Sequence, residues 1–110
     1  MPEDSLPLFK GTLDLLVLKA LSWGPMHGYG IVTWLEGRSD GALGVDDSAL
    51  YQALHRLEGR GHLEAEWGVT ENNRRARYYR LTETGRGELA PEEASWRRHV
   101  EGVALVLGAG

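Results

Sequence analysis

The chain has 110 residues, no cysteine and a formal net charge of −4, with 42% apolar and 25% charged residues. That length allows one small domain. The composition excludes disorder, and the missing thiols exclude a disulfide framework and thiolate chemistry, as suits a cytoplasmic protein. No apolar run reaches the ~20 residues of a membrane helix, and the acidic start Met-Pro-Glu-Asp-Ser is the wrong charge for a secretory leader. No membrane contact is expected.

Residues 1–9 read as a loose arm. Gly11-Thr12 opens a strongly apolar helix, Leu13–Trp23, with one stripe of Leu13, Leu16, Val17, Ala20 and Leu21 and a second of Leu15 and Leu18. A helix apolar on two sides needs two surfaces to pack against, its own domain and either the C-terminal helix or a second subunit. Gly24-Pro25 ends it. A second helix is expected over about Gly28–Glu36, with Tyr29, Val32 and Leu35 available for burial. Residues 37–47 form a Gly- and Asp-rich loop, and Asp46, Asp47 and Ser48 are each candidate N-caps for a third helix. That helix places Leu50, Leu54 and Leu57 on one face, with Gln52, His55 and Arg56 largely on the other, and Gly61 suits a left-handed C-terminal cap.

Two strands follow, Leu63–Trp67 and Arg77–Thr82. Leu63, Ala65 and Trp67 alternate with Glu64 and Glu66, while Tyr79 and Leu81 alternate with Tyr78, Arg80 and Thr82, so each strand has one buried face. Trp23, Trp34 and Trp67 read as core or helix-packing residues. Thr82 can cap a last helix, whose Trp96, Val100, Val103, Ala104 and Leu107 make a continuous apolar seam that wants a partner helix. Pro91 lacks a backbone donor and clashes with the preceding turn, so a kink or break is expected near Ala90. The fold class is mainly α with a small β-hairpin (α+β), a winged helix-turn-helix with a C-terminal dimerisation helix. The division is an arm at 1–9, a DNA-binding domain at 10–84 and a dimerisation helix at 85–110.

A polar-faced helix before a basic-tipped hairpin implies duplex DNA as partner: the helix enters a major groove and the wing reaches the backbone or minor groove. Net charge −4 argues against this, but Arg74, Arg75, Arg77, Arg80 and Arg86 crowd into residues 72–86 against Glu83 alone, and local charge governs the field near a phosphate. Gln52 and Arg56, one turn apart, can pair with adenine and guanine. Ser48, Ala49 and His55 flank them, although a solvated polar face would look the same. Asn72, Asn73, Arg74 and Arg75 at the hairpin tip are candidates for phosphate or minor-groove contact. Arg77 joins them, although strand arginines often only shield an apolar face. Tyr51 is either core with its hydroxyl out or a phosphate contact. His27, His55, His62 and His99 are scattered without metal-ligand spacing, and no nucleophile elbow, phosphate-cradling loop or cofactor motif points to an enzyme.

These residues also carry a family resemblance. Gly11-Thr-Leu-Asp-Leu-Leu-Val-Leu-Lys-Ala-Leu21, Gly24-Pro-Met-His-Gly-Tyr-Gly30, Leu50-Tyr-Gln-Ala-Leu-His-Arg-Leu-Glu58 and Glu71-Asn-Asn-Arg-Arg-Ala-Arg-Tyr-Tyr-Arg-Leu-Thr82 resemble the PadR family of bacterial transcriptional regulators in its short form. Asn72-Asn73-Arg74-Arg75 is similar to its acidobacterial-type subgroup. The resemblance covers roughly residues 8–107. It implies a homodimeric repressor that binds a palindromic operator and is often released by a small aromatic or cationic effector. It favours the phosphate role for Tyr51. It also implies a dimer interface drawing on Leu15, Leu18, Trp96, Val100, Val103, Ala104 and Leu107. Trp96 is then either interface packing or a stacking surface for a flat ligand between subunits. The competing function is a winged helix that docks protein without touching DNA.

Overall fold

The computed structural model describes residues 6–7 and 11–108. Nine elements follow one another: β1 (Leu6–Pro7), α1 (Thr12–Leu21), β2 (Met26–His27), α2 (Gly28–Arg38), β3 (Leu43–Gly44), α3 (Asp47–Gly59), β4 (Leu63–Val69), β5 (Arg75–Leu81) and α4 (Glu83–Gly108). Four helices and a small antiparallel sheet make the expected α+β winged helix. Leu6–Pro7 of the expected arm pairs in parallel with Leu43–Gly44; the rest of the arm lies outside the described residues.

The core lies between α1, α2, α3 and the inner end of the sheet. Val17, Leu18, Ala20 and Leu21 of α1 meet Ile31 and Leu35 of α2, Leu50, Ala53, Leu54 and Leu57 of α3, and Leu63, Tyr79 and Leu81 of the sheet. Ile31 fills the place on α2 for which the spacing nominated Tyr29, which is 68% exposed. The helix phase explains the exchange: Ile31 and Leu35 are one turn apart on one face, and Tyr29 lies outside that stripe.

Local chemistry sets the ends of α3. Asp46 caps it, its carboxylate accepting from the Ala49 N–H at 3.0 Å. At the other end Gly61 adopts φ 79°, and the His62 and Gly61 N–H groups donate to the Leu57 and Glu58 carbonyls at 2.9 and 3.0 Å. These are the two bonds of a Schellman cap, and they turn the chain directly into β4.

The sheet has three strands in the order β2-β5-β4, all antiparallel. β2 escaped the sequence reading because a two-residue strand carries no alternation. The hairpin strands run longer than expected, since Gly68, Val69, Arg75 and Ala76 also pair.

Pro91 does not break the last helix: α4 is continuous for 26 residues. The residue four before Pro91, whose carbonyl the ring confronts, is Gly87. Both residues are exposed, so water can reach the carbonyl that Pro91 cannot serve. Thr82 caps α4 through the Gly85 N–H at 3.0 Å, as its position suggested.

Candidate nucleic-acid interface

Three chain segments converge on one open groove of about 1080 Å³: the start of α2 (His27, Tyr29), the outer face of α3 (Tyr51), and the inner face of the hairpin (Trp67, Arg75). The Tyr51 side chain reaches over Gly28 at the start of α2, where an added Cβ would lie 2.9 Å from its hydroxyl oxygen. His27 caps α2 from the side, its Nδ1 accepting from the Gly30 N–H at 3.0 Å. Its ring stands edge-on to Tyr78, centroids 5.2 Å apart. The Gly24–Gly30 motif therefore has a structural meaning: a capping histidine beside the glycine that admits Tyr51. Tyr51 itself is 55% exposed, so it belongs to the groove rather than the core.

On α3, Leu50, Ala53, Leu54 and Leu57 are buried, whereas Ser48, Gln52 and His55 face solvent. Ala49 is half-buried against the core and offers little surface. Arg56 turns toward α1, where its guanidinium donates to the Asp14 carboxylate at 2.6 Å, and Arg60 approaches the same carboxylate at 3.7 Å. That hydrogen bond, with the Asp14 charge behind it, raises the Arg56 pKa above its ordinary value. Of the proposed base readers, Gln52 is therefore the one that the structure leaves facing outward without an ion pair among the described residues.

The hairpin tip is a tight turn. The Thr70 N–H donates to the Arg74 carbonyl at 2.8 Å and the Asn73 N–H to the Thr70 carbonyl at 2.9 Å. Asn73 takes φ 61°, a left-handed conformation that Asn tolerates better than most residues. Behind the tip, the Tyr78 ring lies over Gly68, where a Cβ would come within 2.8 Å of it, and its hydroxyl donates to the Val69 carbonyl at 3.2 Å.

Not all hairpin arginines are available. Arg77 donates twice to Glu58 of α3, at 3.1 and 2.8 Å. Arg80 pairs with Glu64 at 2.7 Å on the opposite face, which raises its pKa through the hydrogen bond and then the charge. Asn72, Asn73, Arg74 and Arg75 are exposed at and beside the tip, and the side chains of Arg74 and Arg75 make no ion pair among the described residues. Trp67 departs from the core role expected of it: it is 62% exposed. Its alternation is right, since it shares the face of Leu63 and Ala65, but the hairpin outruns the core and carries the indole into the groove. Trp23 is also exposed, at 65%; it and the half-buried Trp34 flank the Arg38 guanidinium, centroids 5.2 and 5.0 Å away.

A second surface lies on α4. Trp96, Val100 and Val103, with Leu15 of α1, line a groove of about 650 Å³ that also includes Ala104 and Leu107. Leu105 and Val106, outside the expected seam, are as exposed as Leu107 and more so than Trp96, Val100 and Val103. Leu18, assigned to an interface with a second subunit, is instead 2% exposed in the domain's own core, with no surface left for a partner. No group of histidines and carboxylates suited to a metal occurs among the described residues, and no helix there is long and apolar enough to cross a membrane.

This architecture is that of known regulators. A PadR family transcriptional regulator from Eggerthella lenta is 34% identical, with a TM-score of 0.74 over 92% of this chain and 86% of that one. A transcriptional regulator from Clostridium thermocellum is 26% identical, with a TM-score of 0.76 over 86% and 88% of the two chains. Bacillus subtilis PadR, solved in complex with operator DNA, shares the fold at 22% identity and a TM-score of 0.65, over 73% of this chain and 45% of that one. Residues 17–91 match the transcriptional regulator PadR-like family, whose members regulate transcription and are not enzymes. With its winged helix and its Gly-Tyr-Gly, Leu-Tyr and Asn-Asn-Arg-Arg segments each in a structural role, the chain belongs to the PadR-like family of transcriptional regulators.

Proposed function

We propose that this protein is a cytoplasmic, homodimeric repressor that occupies a palindromic operator. On this proposal residues 10–84 would serve as the DNA-binding unit and residues 85–110 as the dimerisation segment, most of it α4. The carrying observation is the groove in which Tyr51 of α3 and Arg74 and Arg75 of the wing lie together. A duplex laid along it would meet Gln52 and His55 in its major groove, with Ser48 nearby, and the wing tip at the adjacent backbone or minor groove. Tyr51, beside the start of α2, would contact a phosphate. The apolar face of α4 supports the dimer, because exposed apolar area of this kind on a small domain is normally covered by a partner. The groove holding Trp96 would take a flat aromatic or cationic effector, whose binding would release the operator.

The test is a fluorescence-anisotropy titration against DNA from upstream of the protein's own gene at two salt concentrations. Tight, sequence-selective binding that weakens log-linearly with salt supports the operator-reading repressor. Equal, weak binding to scrambled DNA would favour a winged helix that docks protein. Replacing Arg74 and Arg75 by Ala should weaken binding to all sequences alike and lower the salt slope by roughly 1 per lost phosphate contact. An unchanged slope would remove the wing from the footprint.

A further inference from the structure

We propose that Trp67 is a positioning residue for DNA binding: its indole is a platform that holds the Arg75 guanidinium over the groove. This rests on the DNA-binding reading and adds to it a residue that carries no charge and acts through the face of its ring.

The geometry isolates one arginine. Trp67 stands directly opposite Arg77 in the β4–β5 register, with Arg75 on the diagonal. Arg77 would be the natural neighbour for the indole, but Glu58 draws it toward α3 through two hydrogen bonds, and its guanidinium lies over Tyr79 instead, 5.7 Å from that centroid. The face of Trp67 is thereby left to Arg75, whose guanidinium carbon sits 4.7 Å from the ring centroid. A cation over an indole face is held by the ring quadrupole, and Trp is the strongest aromatic partner. Arg74, the other tip arginine without an ion pair among the described residues, has no such support.

The exposure of Trp67 argues the same way. A Trp so open to water on a hairpin that has outrun its core contributes little to packing, and it is not a lone apolar residue: it shares one groove with the exposed Tyr29 and Tyr51. Both Trp67 and Arg75 line the groove that Tyr51 enters. Free arginine side chains lose rotamer freedom when they grip a phosphate; stacking removes part of that freedom beforehand, so less is lost on binding.

The test has two parts. In the free protein, nuclear magnetic resonance should place the Arg75 side-chain protons upfield, under the indole ring current, and Trp67→Leu should abolish the shift while the melting temperature holds. Ordinary Arg75 shifts in the wild type would overturn the platform without any reference to DNA. A double-mutant cycle then uses the duplex that the wild-type protein selects from a randomised pool. Trp67→Ala should weaken binding about two- to fivefold, Trp67→Phe should restore part of the loss, and Trp67→Ala should add nothing in an Arg75→Ala background. Losses that simply multiply, with the wild type binding normally, would overturn the positioning role alone. A wild type that binds no duplex would overturn the DNA reading, and the role of Trp67 with it.

Discussion

Replacing Gly85 by Ala tests how α4 is joined to the DNA-binding body. Gly85 lies in the first turn of α4, and a Cβ built there would sit 2.1 Å from the His62 carbonyl oxygen, 1.3 Å short of the 3.4 Å at which ordinary contact begins. The obstacle is backbone, held in the α3–β4 corner by the Schellman cap, and cannot swing aside. Relief requires the first turn of α4 to back away from that corner. The movement would strain or break the two bonds that join it there: the Thr82 N–H to the His62 carbonyl at 3.1 Å and the Thr82 hydroxyl to the Gly61 carbonyl at 2.6 Å. Each is worth about 1 kcal/mol, and forcing a methyl into a filled space costs about 1–3 kcal/mol more. Alanine's better helix propensity returns about 1 kcal/mol, leaving a net loss of about 2–4 kcal/mol. Gly87→Ala is the control: it lies in the same helix with nothing within 4 Å of its would-be Cβ, so only the propensity gain of up to about 1 kcal/mol applies. Chemical denaturation at fixed protein concentration would read both. Two variants that move in the same direction, with Gly85→Ala as stable as the wild type, would refute the close approach of α4 to His62.

Three further outcomes follow from the same geometry. His27→Ala should cost about 1 kcal/mol through loss of the α2 cap, with most of it returned by His27→Asn; equal losses in denaturation would discard the cap. Val103→Asp together with Leu107→Asp should give monomers in sedimentation, and persisting dimers would defeat α4 as the interface. Gln52→Ala should relax base preference in selection from randomised duplexes while leaving the salt slope unchanged; an unaltered selected sequence would remove Gln52 from base readout.

Much of the fold is legible in the chain because its signals are local. Asp46, Gly61 and Thr82 mark helix ends by chemistry that acts within a few residues, and all three act as their positions suggest. The misreadings share a different cause: each depends on what a distant element does. Trp67 has the correct strand phase, but whether that phase meets a core depends on how far the hairpin extends past α3. Tyr29 competes with Ile31 for one side of α2, and the choice follows from where α1 and α3 lie. Pro91 would break a buried helix, yet α4 is exposed there and water can serve the freed carbonyl. His27 is a capping residue invisible to any search for Ser, Thr, Asp or Asn.

The charge of the interface shows the same dependence on distance. Five arginines between residues 72 and 86 form a dense cluster when counted along the chain, but folding divides them. Arg80 faces away with Glu64, Arg77 is bound to Glu58, and Arg86 lies on α4, which leaves Arg74 and Arg75 at the wing. An ion pair keeps its charge, but its field fades within about 8–10 Å once the partner and the salt are counted. Two arginines on a body of net charge −4 make a weak electrostatic anchor: a single wing releases few counterions, whereas the two wings of the proposed dimer would contribute a salt slope of roughly −3 to −4. On the proposed reading, dimerisation through α4 would be required for useful affinity. It also follows that Trp67, by holding one of only two such arginines in place, acts on a larger share of the binding than it would in a strongly basic protein.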